Sequence, residues 1–252
     1  MPTNPFLKAG QAVLRWLFML FVAYPLVLLG LGLRVRHRER LPAQGPAIVV
    51  ANHNSHLDFM VLLALFPFLS VPRVRPAAAA DYFCKVKWFE WLARNFVGIL
   101  PIVRGGAQKG EADPLEECYR ALEAGQILLI FPEGTRGQPE QLAELKPGIW
   151  HLAQRFPEVP IVPVFMHGLG RALPRGQTVP VPFQVKVAVG HPVPLLPDKY
   201  AFMASLRGHF EHLRGKVAPP PEQDDCLVEE EGLNEPAKNE PAENELAKSE
   251  SC

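Results

Sequence analysis

The sequence predicts an α/β domain preceded by an N-terminal membrane helix or helix pair. Three observations carry this reading. An uncharged run of eighteen residues, Trp16 to Leu33, lies near the N-terminus. From Pro46 onward, short apolar runs alternate with amphipathic stretches, the pattern of strands alternating with helices. From Val217 the composition turns acidic and repetitive, so the packed part of the chain ends there.

Taken in order, the first element is the apolar run itself. A helix of that length covers about 27 Å, close to the roughly 30 Å of a bilayer's hydrocarbon core. The run ends in Arg34-Val35-Arg36-His37-Arg38 rather than in the small residues of a cleavage site. Tyr24 and Pro25 divide it near the middle, which leaves one kinked span or two short helices dipping into one leaflet. Four arginines (34, 36, 38 and 40) follow it, against Lys8 and Arg15 before it, so the body is expected on the cytosolic side. Residues 1–40 are therefore the expected membrane-anchoring segment. The domain of 41–216 then begins, with a buried strand over 47–51 (AIVVA) and a helix from Leu57 to Phe68. Strand candidates follow at 99–103 and 126–131, separated by a helix that starts at Asp113-Pro114 and stops at Gly125. Two further strands are expected at 160–165 and 183–189. Residues 217–252 contain the repeat NEPAK, NEPAE, NELAK, have no aromatic residue and read as a disordered tail.

Charge divides the same way. Lysine plus arginine and aspartate plus glutamate both total 26, yet 217–252 holds 11 acidic and 2 basic residues. The body is left with 24 basic and 15 acidic residues, a charge of about +9 that suits phosphates or acidic lipid surfaces. The four cysteines (84, 118, 226 and 252) form no CxxC pair and exclude both a disulfide scaffold and a four-cysteine zinc site. There is no GxSxG, no phosphate-loop GxxxxGK[ST] and no HExxH. Basic residues are not interleaved with aromatics, so nucleic acid is not an expected partner.

Three segments hold the chemistry. In Asn52-His53-Asn54-Ser55-His56-Leu57-Asp58, the turn after a strand places His53 five residues before Asp58, which falls in the first turn of the next helix. A carboxylate holding one imidazole nitrogen leaves the other as a base. With no serine or cysteine nucleophile alongside, that base acts on a hydroxyl of the substrate itself. The same spacing also fits a simple helix cap, and His53, His56 and Asp58 together form a zinc-ligand alternative. In Phe131-Pro132-Glu133-Gly134-Thr135-Arg136-Gly137, glycine allows close backbone approach, Thr135 offers a hydroxyl, and Arg136 offers a planar fork for phosphate oxygens. Glu133 is placed to orient that arginine, and an ordinary polar turn is the plainer reading. Finally, Gly98 to Arg104 is a strand ending in an arginine, the other half of an anion site.

The order HxxxxD, GxxPxxR, FPEGTR and Ile161-Val162-Pro163-Val164, over about residues 47–170, resembles the glycerolipid acyltransferases of the 1-acylglycerol-3-phosphate acyltransferase type. That resemblance implies a mixed sheet flanked by helices. It implies acyl-CoA or acyl carrier protein as donor and a lysophospholipid or glycerol phosphate as acceptor, with no metal and no further cofactor. It assigns His53 as catalytic base and Asp58 as its partner. It assigns Glu133, Gly134, Thr135 and Arg136 to the acceptor phosphate and Arg104 to the second motif, where Val103 replaces the family's frequent acidic residue. The expected activity is acylation of the sn-2 hydroxyl of lysophosphatidic acid to phosphatidic acid, on the cytosolic face of a bacterial inner membrane. The alternatives are another lysophospholipid or glycerol 3-phosphate as acceptor, or a non-enzymatic scaffold whose acidic tail recruits a basic partner.

Overall fold

The computed structural model describes residues 5–55, 57–80, 87–102, 113–135, 137, 141–172 and 183–218. Strands β1 (Leu31–Arg36), β2 (Ala47–Ala51), β3 (Val74–Ala79), β4 (Leu100–Ile102), β5 (Ile127–Ile130), β6 (Ile161–His167) and β7 (Phe183–Val189) form one seven-stranded sheet in the order β1-β7-β6-β2-β5-β3-β4. All described pairings are parallel except β6 with β7, so the sheet is mixed. The described α-helices are α1 (Pro5–Phe18), α2 (Asp58–Leu65), α3 (Lys87–Leu92), α4 (Glu116–Glu123), α5 (Gly148–Arg155), α6 (Leu169–Ala172) and α7 (Lys199–Val217).

The central strands are apolar at nearly every position because helices cover both faces. Every residue of β2 is buried. Ala47, Val49 and Ala51 pack with Val162 and Val164 under α2 and the N-terminal helix. Ile48 and Val50 point the other way, into a second core shared with α4, α5 and α7. Helix α7 lies outside the elements expected from sequence, although its stripe of Phe202, Leu206, Phe210, Leu213 and Val217 has helical spacing and is buried.

The structure corrects several expectations. The apolar run is helical only to about Gly30, and its last residues, Leu31 to Leu33, belong to β1, which pairs with β7. The sheet thus begins inside the segment expected to anchor the chain, ahead of residue 41. Tyr24 and Pro25 do not break the helix. It continues beyond α1 as two wide π turns, Met19–Ala23 and Pro25–Leu29, a geometry that accommodates a proline with no N–H to donate. The helix expected over Leu57 to Phe68 stops at Leu65, because Pro67 pushes Phe66 into extended backbone. Strand β3 carries a proline inside an alanine-rich run and has no strand signature. It pairs with β5 over Val74–Pro76 and with β4 over Ala77–Ala79, so Pro76 falls where β4 has not yet begun to pair.

Candidate active site

Strands β2, β5 and β6 run parallel, so the segments that follow them leave the sheet at one end, where ligands of such sheets usually sit. The turn after β2 carries His53, and the loop after β5 is Phe131 to Gly137.

Asp58 opens α2 and is fully buried. Its Oδ2 lies 2.8 Å from His53 Nδ1 and also accepts the backbone N–H groups of Asn54 at 2.6 Å and Ser55 at 2.9 Å. One oxygen thus ties down the whole turn. A carboxylate oxygen set against Nδ1 accepts its proton and fixes the tautomer with the lone pair on Nε2. The His53 side chain is 21% exposed, so the ring is partly open to solvent. The ring stacks on Phe131, centroids 4.3 Å apart and planes 22° apart. The Asp58 carboxylate is not a cap of α2, whose N-cap Leu57 has no side-chain cap hydrogen bond; it serves the turn ahead of the helix and the imidazole.

The loop after β5 holds the same turn from the other side. Glu133 is buried, and its Oε1 accepts the backbone N–H of His53 at 2.8 Å while Oε2 accepts that of Ala143 at 3.0 Å. Burial pushes its pKa above the usual carboxylate range, and the two amide bonds pull the other way. Gly134 sits at φ +70°, a left-handed conformation that glycine adopts without strain, and its N–H closes a turn onto Phe131 O at 3.0 Å. Gly134 and Thr135 are exposed at the tip of this loop.

The sequence-predicted residues His53, Asp58 and Glu133 are thus brought together, with Gly134 and Thr135 in the adjoining loop. Arg104 and Arg136, and His56 of the metal alternative, lie outside the described residues. Among the described residues, no three His, Cys, Asp or Glu side chains gather as a metal site. Cys118 is buried in the core on α4, and burial pushes its thiol up to about 12, so it is no nucleophile.

Two contributors carry no assigned role in the sequence motifs. Asn52 is 1% exposed and spends its whole amide on Met166 of β6, donating to its carbonyl at 2.9 Å and accepting its N–H at 2.7 Å. This extends the pairing of β2 and β6 past the last strand residue and aims the His53 turn. Phe131 is the second, as the floor of the imidazole. An asparagine directly after an apolar strand was the available signal for the first, and only the fold could reveal the second.

Comparison with known proteins gives the same outline. A family model described as Acyltransferase matches residues 32–167. The chain is 31% identical over 142 residues to the chloroplastic 1-acyl-sn-glycerol-3-phosphate acyltransferase LPAT1 of Arabidopsis thaliana, covering 55% of this chain and 36% of that protein. It is 29% identical over 207 residues to the human 1-acyl-sn-glycerol-3-phosphate acyltransferase alpha, covering 79% of this chain and 68% of the relative. The chain thus spans little more than a third of the plant relative's length. The crystal structure of the 1-acyl-sn-glycerophosphate acyltransferase PlsC from Thermotoga maritima shares the fold, with a TM-score of 0.66 at 21% identity over 87% of this chain and 86% of that one. Since the family model takes in more than half of the sequence, from β1 through the His53 turn and the β5 loop to the end of β6, this chain belongs to the acyltransferase family.

Proposed function

We propose that this protein transfers a fatty acyl group from acyl-CoA or acyl carrier protein to the sn-2 hydroxyl of lysophosphatidic acid, giving phosphatidic acid. The observation that carries this reading is His53, held through Nδ1 by buried Asp58, with its ring partly exposed and stacked on Phe131 at the start of the β5 loop. The names of the plant and human relatives support the choice of acceptor. Nε2 takes the proton of the acceptor hydroxyl as its oxygen attacks the thioester carbonyl. The tetrahedral intermediate collapses with loss of the donor's thiolate, which regains the proton from the imidazolium. Arg136 and Arg104 are proposed to hold the acceptor phosphate, and the chemistry needs no metal or cofactor beyond the acyl donor.

The site is proposed to work at a membrane surface, on the cytosolic face of a bacterial inner membrane. The helix from Ala9 to Leu29 is long and apolar enough to cross a bilayer. It is also fastened along the domain. Arg15 donates to Pro72 O at 2.7 Å, Trp16 to Phe68 O at 3.1 Å, and Met19, Ala23 and Val27 are buried in the core. The opposite side exposes Leu20, Phe21, Leu28 and Leu29, and α3 exposes Trp88 and Trp91. A helix bound to the domain on one side and apolar on the other favours lying in one leaflet over crossing the bilayer.

The test is an acyl-transfer assay of the purified protein with each donor. The acceptors are lysophosphatidic acid, lysophospholipids bearing a head group, and glycerol 3-phosphate. Phosphatidic acid formed from lysophosphatidic acid at the highest kcat/KM is the expected result. Preference for another acceptor would reassign the substrate, and thiol release with no acylated product would overturn the reading.

A further inference from the structure

The FPEGTR loop is most simply read as a row of ligands for an anion, and Glu133 is the residue that does not fit such a row. A carboxylate repels a phosphate, and this one is 1% exposed with both oxygens already engaged by backbone amides. Its partners are informative. Oε1 takes the N–H of His53 itself, and Oε2 takes the N–H of Ala143, ten residues further along. The carbonyl of His53 is held by the same loop, since Gly137 donates its N–H to it at 3.1 Å. Both backbone polar groups of His53 therefore end on the segment after β5, while its imidazole rests on Phe131 of that segment. Gly137 has to be small for this arrangement. A Cβ there would stand 2.9 Å from Glu133 Oε2.

We infer that Glu133 is a positioning residue for His53 rather than a ligand for the substrate, its carboxylate bracing the catalytic turn against the loop at 143. The inference deepens the acyltransferase reading and rests on it for the identity of the base. Asp58 sets the ring's tautomer, and Glu133 sets where the ring stands. Glutamine at 133 keeps the size and one acceptor oxygen, but its NH₂ faces one of the two amide donors, so one anchor is lost. A shift of about 1 Å in a reacting group can cost on the order of 10²-fold in rate.

The test compares wild type with Glu133→Gln and Gly137→Ala, the second pressing on the same carboxylate without removing its charge. Two readouts are used: steady-state kinetics for each substrate, and amide hydrogen exchange at His53 and Ala143. For Glu133→Gln the expectation is a kcat about 10- to 100-fold lower, with both KM values within about twofold of wild type. Exchange should be faster at His53 and Ala143 and unchanged in β2 and β6. Gly137→Ala should move both readouts in the same direction by less. A raised KM for the lysolipid with kcat preserved would make Glu133 a substrate ligand and overturn the inference, as would unchanged exchange at His53. If the wild type turns over no lysolipid, the acyltransferase reading fails, while the exchange measurement still decides whether Glu133 braces the turn.

Discussion

At the residue scale the site rests on how few atoms fix one imidazole. Asp58 Oδ2 serves the ring and two backbone amides at once, so changing Asp58 disturbs both the imidazole and the turn that carries it. His53→Ala should remove transfer by at least on the order of 10²–10⁴-fold while leaving thermal unfolding close to wild type, because the ring lies at the open edge of the core. His56→Ala should be mild by comparison. Equal damage at His56, or inhibition by a chelator, would revive the zinc alternative. Asp58→Ala should lower both activity and stability. It leaves the Asn54 and Ser55 amides buried without their acceptor, each at about 1–3 kcal/mol, which a urea titration would register.

At the scale of elements, the ends of β2 and β6 are held by a side chain where the backbone ladder stops. Asn52→Ala removes both bonds to Met166 and should destabilise by about 2–4 kcal/mol, read as a lower denaturation midpoint. An unchanged midpoint would mean that Asn52 does not latch the two strands. The N-terminal helix makes a different prediction. Deleting residues 1–40 removes β1 as well as Met19, Ala23 and Val27, so the shortened chain should misfold rather than yield a clean soluble domain. The membrane contact is better tested with the fold intact. Trp88→Ser combined with Trp91→Ser changes two exposed side chains, each contributing up to about 1.5–3 kcal/mol if buried in lipid. Vesicle co-sedimentation should fall at least about tenfold with unfolding unchanged, and undiminished sedimentation would remove α3 from the membrane-facing surface.

At the scale of the whole molecule, a basic body is set against an acidic tail. A chain ending at Ala218, just past the buried Val217 that closes α7, should keep most of its turnover, because His53, Asp58 and Glu133 all precede it. A large loss would assign the tail a role. For the acceptor, Arg136→Lys keeps the charge but loses the planar fork, so the lysolipid KM should rise about 10- to 100-fold with the donor KM little changed. A rise in the donor KM alone would give this arginine to the donor's phosphates instead.

Much of this protein is written in local sequence. The runs at 47–51 and 127–130 are strands with apolar residues filling both faces, and 183–189 is a strand that buries Val185, Val187 and Val189 while Gln184 is exposed and Lys186 half-buried. HxxxxD places an imidazole and a carboxylate five residues apart, and that contact needs only the strand end and the helix start to form. The alanine and proline of β3 have no strand preference, and that segment is a strand because β5 and β4 offer it partners. Nor could the apolar helix reveal from its own residues that one side faces the domain, since hydropathy does not distinguish a core from a lipid. Glu133 lies 80 residues from His53, and its carboxylate meets that backbone because β2 and β5 are neighbours in the sheet. The sequence by itself marked out the candidate site, because HxxxxD and FPEGTR are each local patterns. The tertiary structure alone decided which of its residues hold the others in place, because a brace is a contact between distant segments and leaves no local signal.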